Sequence, residues 1–165
     1  MVARSRRPEP ATANPAGTQD SERELDYRAL AELRHQIRCF LTFSEREART
    51  AGVEPQQHQL LLALKGLPEG RRPSISVLAE RLQLKHHTTV GLVDRLVAAG
   101  LAQRRPSDED GREILVHVSA QGERLLRKLS IAHRAELSSA GPTLVAALEE
   151  VLGHALEPAS QRSRA

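Results

Sequence analysis

From Ser21 to Arg49 the chain holds neither glycine nor proline, and Leu30, Leu33, Ile37, Phe40, Leu41 and Ser44 recur at three- and four-residue intervals. That period predicts an amphipathic helix. At 1.5 Å per residue it spans about 40 Å, more than a domain of this size needs for its own core, so a second copy of the chain is the simplest partner for the overhang. Ala51-Gly52 ends the run, and Glu54-Pro55 opens a helix over 55–65 that carries the apolar stretch Leu60 to Leu64 and stops at Gly66. A polar loop with Arg71 and Arg72 follows. Ser76 is expected to cap a short helix that turns Leu78, Ala79 and Leu82 inward. Gln83-Leu84-Lys85 breaks the chain before a second short helix, 86–99, with Thr89, Leu92, Val93 and Leu96 on one face and Gly100 as its stop. Two short helices about a three-residue turn predict a helix-turn-helix.

After Gly100 the period drops to two. Leu101 to Arg105 reads as a strand, 106–111 as a polar turn and 112–118 as the returning strand, with Ile114, Val116 and Val118 alternating. Such a hairpin behind a helix-turn-helix is a wing. Ser119 is placed to cap a helix over 120–138, Gly141-Pro142 is expected to break it, and a last helix over 143–156 is apolar at Leu144, Val145, Leu148, Val151 and Leu152. The fold class expected is mainly α with a small β-wing. A winged helix-turn-helix over about 55–118 is flanked by dimerisation helices over 21–49 and 120–156, all within a domain of 21–157. Residues 1–20, rich in Pro, Ala and Arg, are expected to be a disordered tail, and 158–165 a frayed end.

Leu78-Ala79-Glu80-Arg81-Leu82, Leu92-Val93-Asp94-Arg95-Leu96, Gly100-Leu101 with Arg104, Asp110-Gly111-Arg112, and Val118-Ser119-Ala120-Gln121-Gly122 stand in order along the chain. Together they closely resemble the signature of MarR-family transcriptional regulators, and the flanking helices extend the likeness to about 21–156. The resemblance implies a symmetric dimer whose second short helix enters the major groove while the wing reaches the neighbouring minor groove. Arg112 matches the family's wing-tip arginine, Asp110 the acid that positions it, and Arg95 an arginine suited to a phosphate. The resulting DNA-binding set is Ser76, Lys85, His86, His87, Thr88, Gly91, Arg95, Arg104, Asp110 and Arg112. The family often has arginine where this chain has Gly91, and Ser or Thr where it has Val90, which shifts base reading toward His86, His87 and Thr88. Two structural alternatives stand beside these roles: Asp110 and Arg112 as a local turn pair, and Arg95 paired with Asp94 or Glu80. The family also commonly holds a small-molecule pocket beside the dimer-forming helices, which here would involve Phe40, Phe43, Gln57 and His58.

Composition and charge narrow this further. Aromatic residues make up 2% of the chain, which disfavours the stacking platforms of single-strand binders. Between Arg71 and Arg112 eight basic residues face five acidic ones, a segment carrying the whole +3 net charge of the chain. The seven histidines and one cysteine show no metal-ligand spacing, so no metal or other cofactor is expected. No catalytic motif appears, and no enzyme is expected. No signal-like or membrane-spanning apolar run is present, so a cytoplasmic protein without a membrane partner is expected. The expected function is a ligand-responsive repressor that binds a pseudo-palindromic double-stranded operator as a homodimer. Alternatives are a winged-helix protein-interaction module, or a redox or metal sensor on the same scaffold with Cys39 as its trigger.

Overall fold

A computed structural model describes the backbone of residues 16–109 and 111–156, and the side chains of 27–109 and 111–153. In chain order the elements are α1 (Ala16–Thr50), α2 (Pro55–Lys65), α3 (Ile75–Leu82), α4 (His86–Ala98), β1 (Ala102–Pro106), β2 (Ile114–Val118) and α5 (Ala120–Leu156). The chain is therefore mainly helical with a two-stranded antiparallel wing, in which Ala102 lies opposite Val118 and Pro106 opposite Ile114.

Contacts divide the chain into two compact units, one formed by Ile37–Pro142 and the other by Met1–Gln36 with Thr143–Ala165. The first holds the winged helix and its core. Leu60, Leu61 and Leu64 of α2, Leu78 of α3, Leu92, Val93 and Leu96 of α4, Val116 of β2, and Leu126 and Leu129 of α5 are buried together. In the second unit Ala29 and Ala147 are buried, while Tyr27, Leu30, Val145, Leu148 and Leu152 are exposed.

Local chemistry sets most of the boundaries. α2 starts at Pro55 behind Glu54, whose backbone N–H donates to Gln57 Oε1 at 3.0 Å. α4 ends in a paired turn: the Leu101 N–H reaches the Leu96 carbonyl and the Gly100 N–H the Val97 carbonyl, both at 2.9 Å. The turn requires Gly100 at φ +69°, where a side chain is strained. Gln83 takes the left-handed conformation in the turn between α3 and α4 (φ 54°), held by Nε2 donating to the Glu80 carbonyl at 2.7 Å. Ser119 opens α5, accepting the Gly122 N–H at 3.0 Å and donating to the Gly100 carbonyl at 2.6 Å.

Three boundaries differ from those the sequence predicted. The cap of α3 is Ser74, whose Oγ accepts the Val77 N–H at 3.4 Å, and Ser76 lies exposed within the first turn. Ser74 bridges to Leu115 beside the wing, and that pairing holds it extended at the position where a cap must be. α5 runs unbroken through Gly141 and Pro142. Proline removes one backbone donor, but the Ser138 residue whose carbonyl loses it is exposed, so solvent can supply the replacement. α1 begins at Ala16, inside the expected tail, because extending an existing helix adds one bond per residue without a new nucleus. The rest of that tail, Asp110, and the frayed end expected over 158–165 lie outside the described residues. Among the described residues no helix is long and apolar enough to cross a membrane.

Candidate nucleic-acid interface and an adjoining cleft

α4 commits one face to the core and leaves the other to solvent. Thr89, Leu92, Val93 and Leu96 are buried, with Thr89 Oγ1 donating to the Lys85 carbonyl at 3.2 Å. The period of the helix then exposes Lys85, His86, His87, Asp94 and Arg95 and leaves Thr88 and Gly91 half-buried. A Cβ added at Gly91 would meet only Arg95 Nη1, at 3.8 Å, so the missing side chain there is not demanded by packing.

The basic residues of this region divide into engaged and unengaged groups. Arg104 pairs with Asp94 at 2.6 Å, and Arg71 with Glu80 at 2.9 Å. Arg81 donates to the Gly66 carbonyl at 3.2 Å, and Arg105 to Gln103 Oε1 at 3.1 Å. Both carboxylates that competed for Arg95 in the sequence reading are thus taken by other arginines. The side chains of Lys85, His86, His87 and Arg95 carry no hydrogen bond or ion pair among the described residues. They are the groups available to an external anion. Arg104 differs, since its charge is partly spent on Asp94 although the pair is solvent-facing and weak. On the wing, Arg112 is exposed one residue past Gly111, and Asp110 falls outside the described residues. Arg72, in the segment before α3, ties to the wing through Ser107, Glu109 and Glu113.

A cleft of about 440 Å³ is lined by Phe40 of α1, His58 and Leu62 of α2, and Ser130, His133, Arg134, Leu137 and Ser138 of α5. Two of the four residues expected in a pocket line it, Phe40 and His58. Phe43 stands behind His133 instead, edge-on at 5.6 Å with the Arg46 guanidinium 5.4 Å over its ring. Gln57 is spent on the α2 cap. Sequence reasoning missed His133, although its place four residues after the buried Leu129 was a usable signal. His133 Nδ1 lies 2.7 Å from the Leu129 carbonyl, which can only accept, so Nδ1 carries the proton. In the neutral ring Nε2 then accepts from Ser44 Oγ at 2.8 Å. The His58 ring is 5.0 Å away, and burial, with the nearby His133, pushes the His58 pKa below its ordinary value. Among the described residues no three His, Cys, Asp or Glu side chains converge as a metal site, and Cys39 is exposed on α1.

Residues 51–113 match the family model of the MarR family. Among solved structures, a MarR family transcription regulator is 22% identical at a TM-score of 0.65, over 91% of this chain and 99% of that one. CouR from Rhodococcus jostii, solved bound to p-coumaroyl-CoA, is 22% identical at a TM-score of 0.58, over 76% of this chain and 90% of that one. A mutant of S. aureus MepR bound to an oligodeoxyribonucleotide is 18% identical at a TM-score of 0.54, over 73% and 92%. Among curated proteins no sequence matches the chain.

Proposed function

We propose that the chain, whose residues 51–113 match the MarR family model from α2 to the turn of the wing, is a transcriptional regulator binding double-stranded DNA at specific sites. The observation that carries this reading is the leading end of α4, where Lys85, His86 and His87 are exposed and, among the described residues, unengaged on a helix whose opposite face is locked in the core. These donors suit base edges and phosphates in a major groove, and Thr88 stands beside them. Arg95 supplies a phosphate contact, and Arg112 on the wing meets the narrow potential of a minor groove. Ser76, Gly91 and Arg104 border this surface, and Asp110 is adjacent to Arg112 in sequence. A MepR mutant bound to an oligodeoxyribonucleotide supports the same use of the fold here.

The finer reading is a homodimeric, ligand-responsive repressor on a pseudo-palindromic operator, with base-reading helices about one DNA turn apart. The cleft beside His58 and His133 is the effector site in this reading, supported by CouR, a relative in fold solved with p-coumaroyl-CoA.

A gel-shift titration tests it, using duplex from upstream of the gene and a scrambled duplex at two salt concentrations. Tight, sequence-preferring binding that weakens steeply with salt is expected. Arg95→Ala should weaken both duplexes about equally and lower the salt slope by about one, whereas Arg112→Ala should weaken the preferred duplex more. Wild-type affinity in both variants would overturn the docking arrangement. Absence of binding to either duplex at low salt would move the fold to a protein-interaction role.

A further inference from the structure

The tip of the wing is acidic where a DNA-binding element meets phosphates. From Ser107 to Glu113 the chain carries Asp108, Glu109, Asp110 and Glu113 against the single base Arg112. Carboxylates within about 10 Å of a phosphate backbone are only partly screened at ordinary ionic strength, so an uncompensated tip would be repelled from DNA.

Part of what offsets that charge comes from outside the turn. Arg72 Nη1 lies 3.2 Å from Glu109 Oε2, while Nη2 donates to Ser107 Oγ and pairs with Glu113. One guanidinium thus holds the arm after β1, the tip, and the arm before β2. Its own backbone is anchored on the same side: the Ser74 N–H donates to the Arg72 carbonyl at 2.8 Å, and the Val116 N–H to the Pro73 carbonyl at 2.9 Å. Ser74 then bridges to Leu115 and caps α3. The segment that delivers the guanidinium is therefore fixed to both the wing and the helix-turn-helix. The Arg72 side chain is 39% exposed and that of Glu113 34%, so this limb of the clamp is partly shielded from solvent, whereas Glu109 is 80% exposed.

We propose that Arg72 is the positioning residue of the wing: it neutralises Glu109 and Glu113 and fixes the hairpin's angle to α3, so that Arg112 can approach the duplex. This rests on the DNA-binding reading above. Arg72 acts through Arg112: three of its five N–H donors are committed to acceptors on the wing rather than offered to DNA. A guanidinium is needed, since a lysine ammonium cannot fork to Ser107 and Glu113 while reaching Glu109.

The experiment pairs two measurements. Amide hydrogen exchange at Ser107 and Val116, without DNA, is followed in wild type, Arg72→Ala, Arg72→Lys and Glu113→Gln. Operator affinity is measured for wild type, Arg72→Ala, Arg112→Ala and the double variant. Exchange at both amides should rise about tenfold or more in Arg72→Ala, with Arg72→Lys and Glu113→Gln rising in the same direction while core amides of α4 stay protected. Arg72→Ala should lose about tenfold in affinity alone but no more than about twofold in the Arg112→Ala background. Additive losses would overturn the proposal and make Arg72 a direct contact, and unchanged wing exchange would overturn it by showing that the hairpin holds its place unaided. Wild type failing to bind duplex in a salt-dependent way would bring down the DNA-binding reading and this role together, whereas additivity in a wild type that binds sinks this proposal alone.

Discussion

His58 shows how much one side chain can couple to its surroundings. It is 3% exposed, and its pKa is lowered first by burial and then by the neighbouring His133. Among the described residues no carboxylate offsets this: the charged group lining the cleft is Arg134, Arg46 stands over Phe43, and the sole charged residue of α2, Lys65, pairs with Glu123 at 2.5 Å. The unfolded chain therefore takes up a proton at the ordinary histidine value of about 6.5, while the folded chain resists until lower pH. The stabilising contribution is complete above pH 6.5 and is lost as pH falls below it through the folded value. Urea unfolding at pH 7.5 and at pH 5.5 should show lower stability at the acid end. His58→Leu, which keeps the site apolar, should narrow that difference. An equal loss in the variant would place the pH dependence elsewhere.

Among elements, the junction of α4, β1 and α5 carries the tightest demand. A Cβ at Gly122 would lie 2.2 Å from the Leu101 carbonyl oxygen and 2.9 Å from Val118 Cγ1. The first of these is backbone, so no rotamer change relieves it. Gly122→Ala is expected to cost about 2–3 kcal/mol, read as a lower urea midpoint, because the start of β1 and the first turn of α5 must separate. A variant as stable as wild type would mean that the junction yields freely. The same junction explains why the wing follows directly on α4: Gly100 turns the chain, and Ser119 bonds back to its carbonyl. Gly100 and Ser119 were readable as stop and cap from their positions alone. Ser76 was misread because two serines flank Ile75, and the choice between them depends on a bridge to Leu115 some 40 residues further along the chain.

For the whole molecule, the proposed dimer draws on apolar residues that α1 and α5 leave exposed in the unit containing their outer ends: Tyr27, Leu30, Val145, Leu148 and Leu152. Exposed leucines and valine recurring along helices are surfaces that a second copy can cover. Leu148→Glu combined with Leu152→Glu should give a monomer by light scattering. Operator affinity should fall with it, since two half-sites no longer share one binder. A dimer that persists in this variant would remove these residues from the interface.

What the sequence determined by itself is what local periodicity and chain-terminating residues encode. The switch from a 3.6-residue to a 2-residue period located α4 and the wing, and the apolar face Thr89, Leu92, Val93 and Leu96 left the exposed face of α4 as the remainder. The exposure of Lys85, His86, His87 and Arg95 was therefore legible before any coordinates. Which arginines are engaged was not, because an ion pair depends on which side chains meet in space: Asp94 adjoins Arg95 in sequence yet pairs with Arg104. The cleft was only half legible for the same reason, since His133 meets Ser44 across 89 residues and no spacing announces that contact. Tertiary structure alone decided the α3 cap, the unbroken passage of α5 through Pro142 and the clamp of Arg72 on the wing. Each rests on whether a backbone or charged group finds its partner in a distant segment or in solvent, which a local pattern does not record.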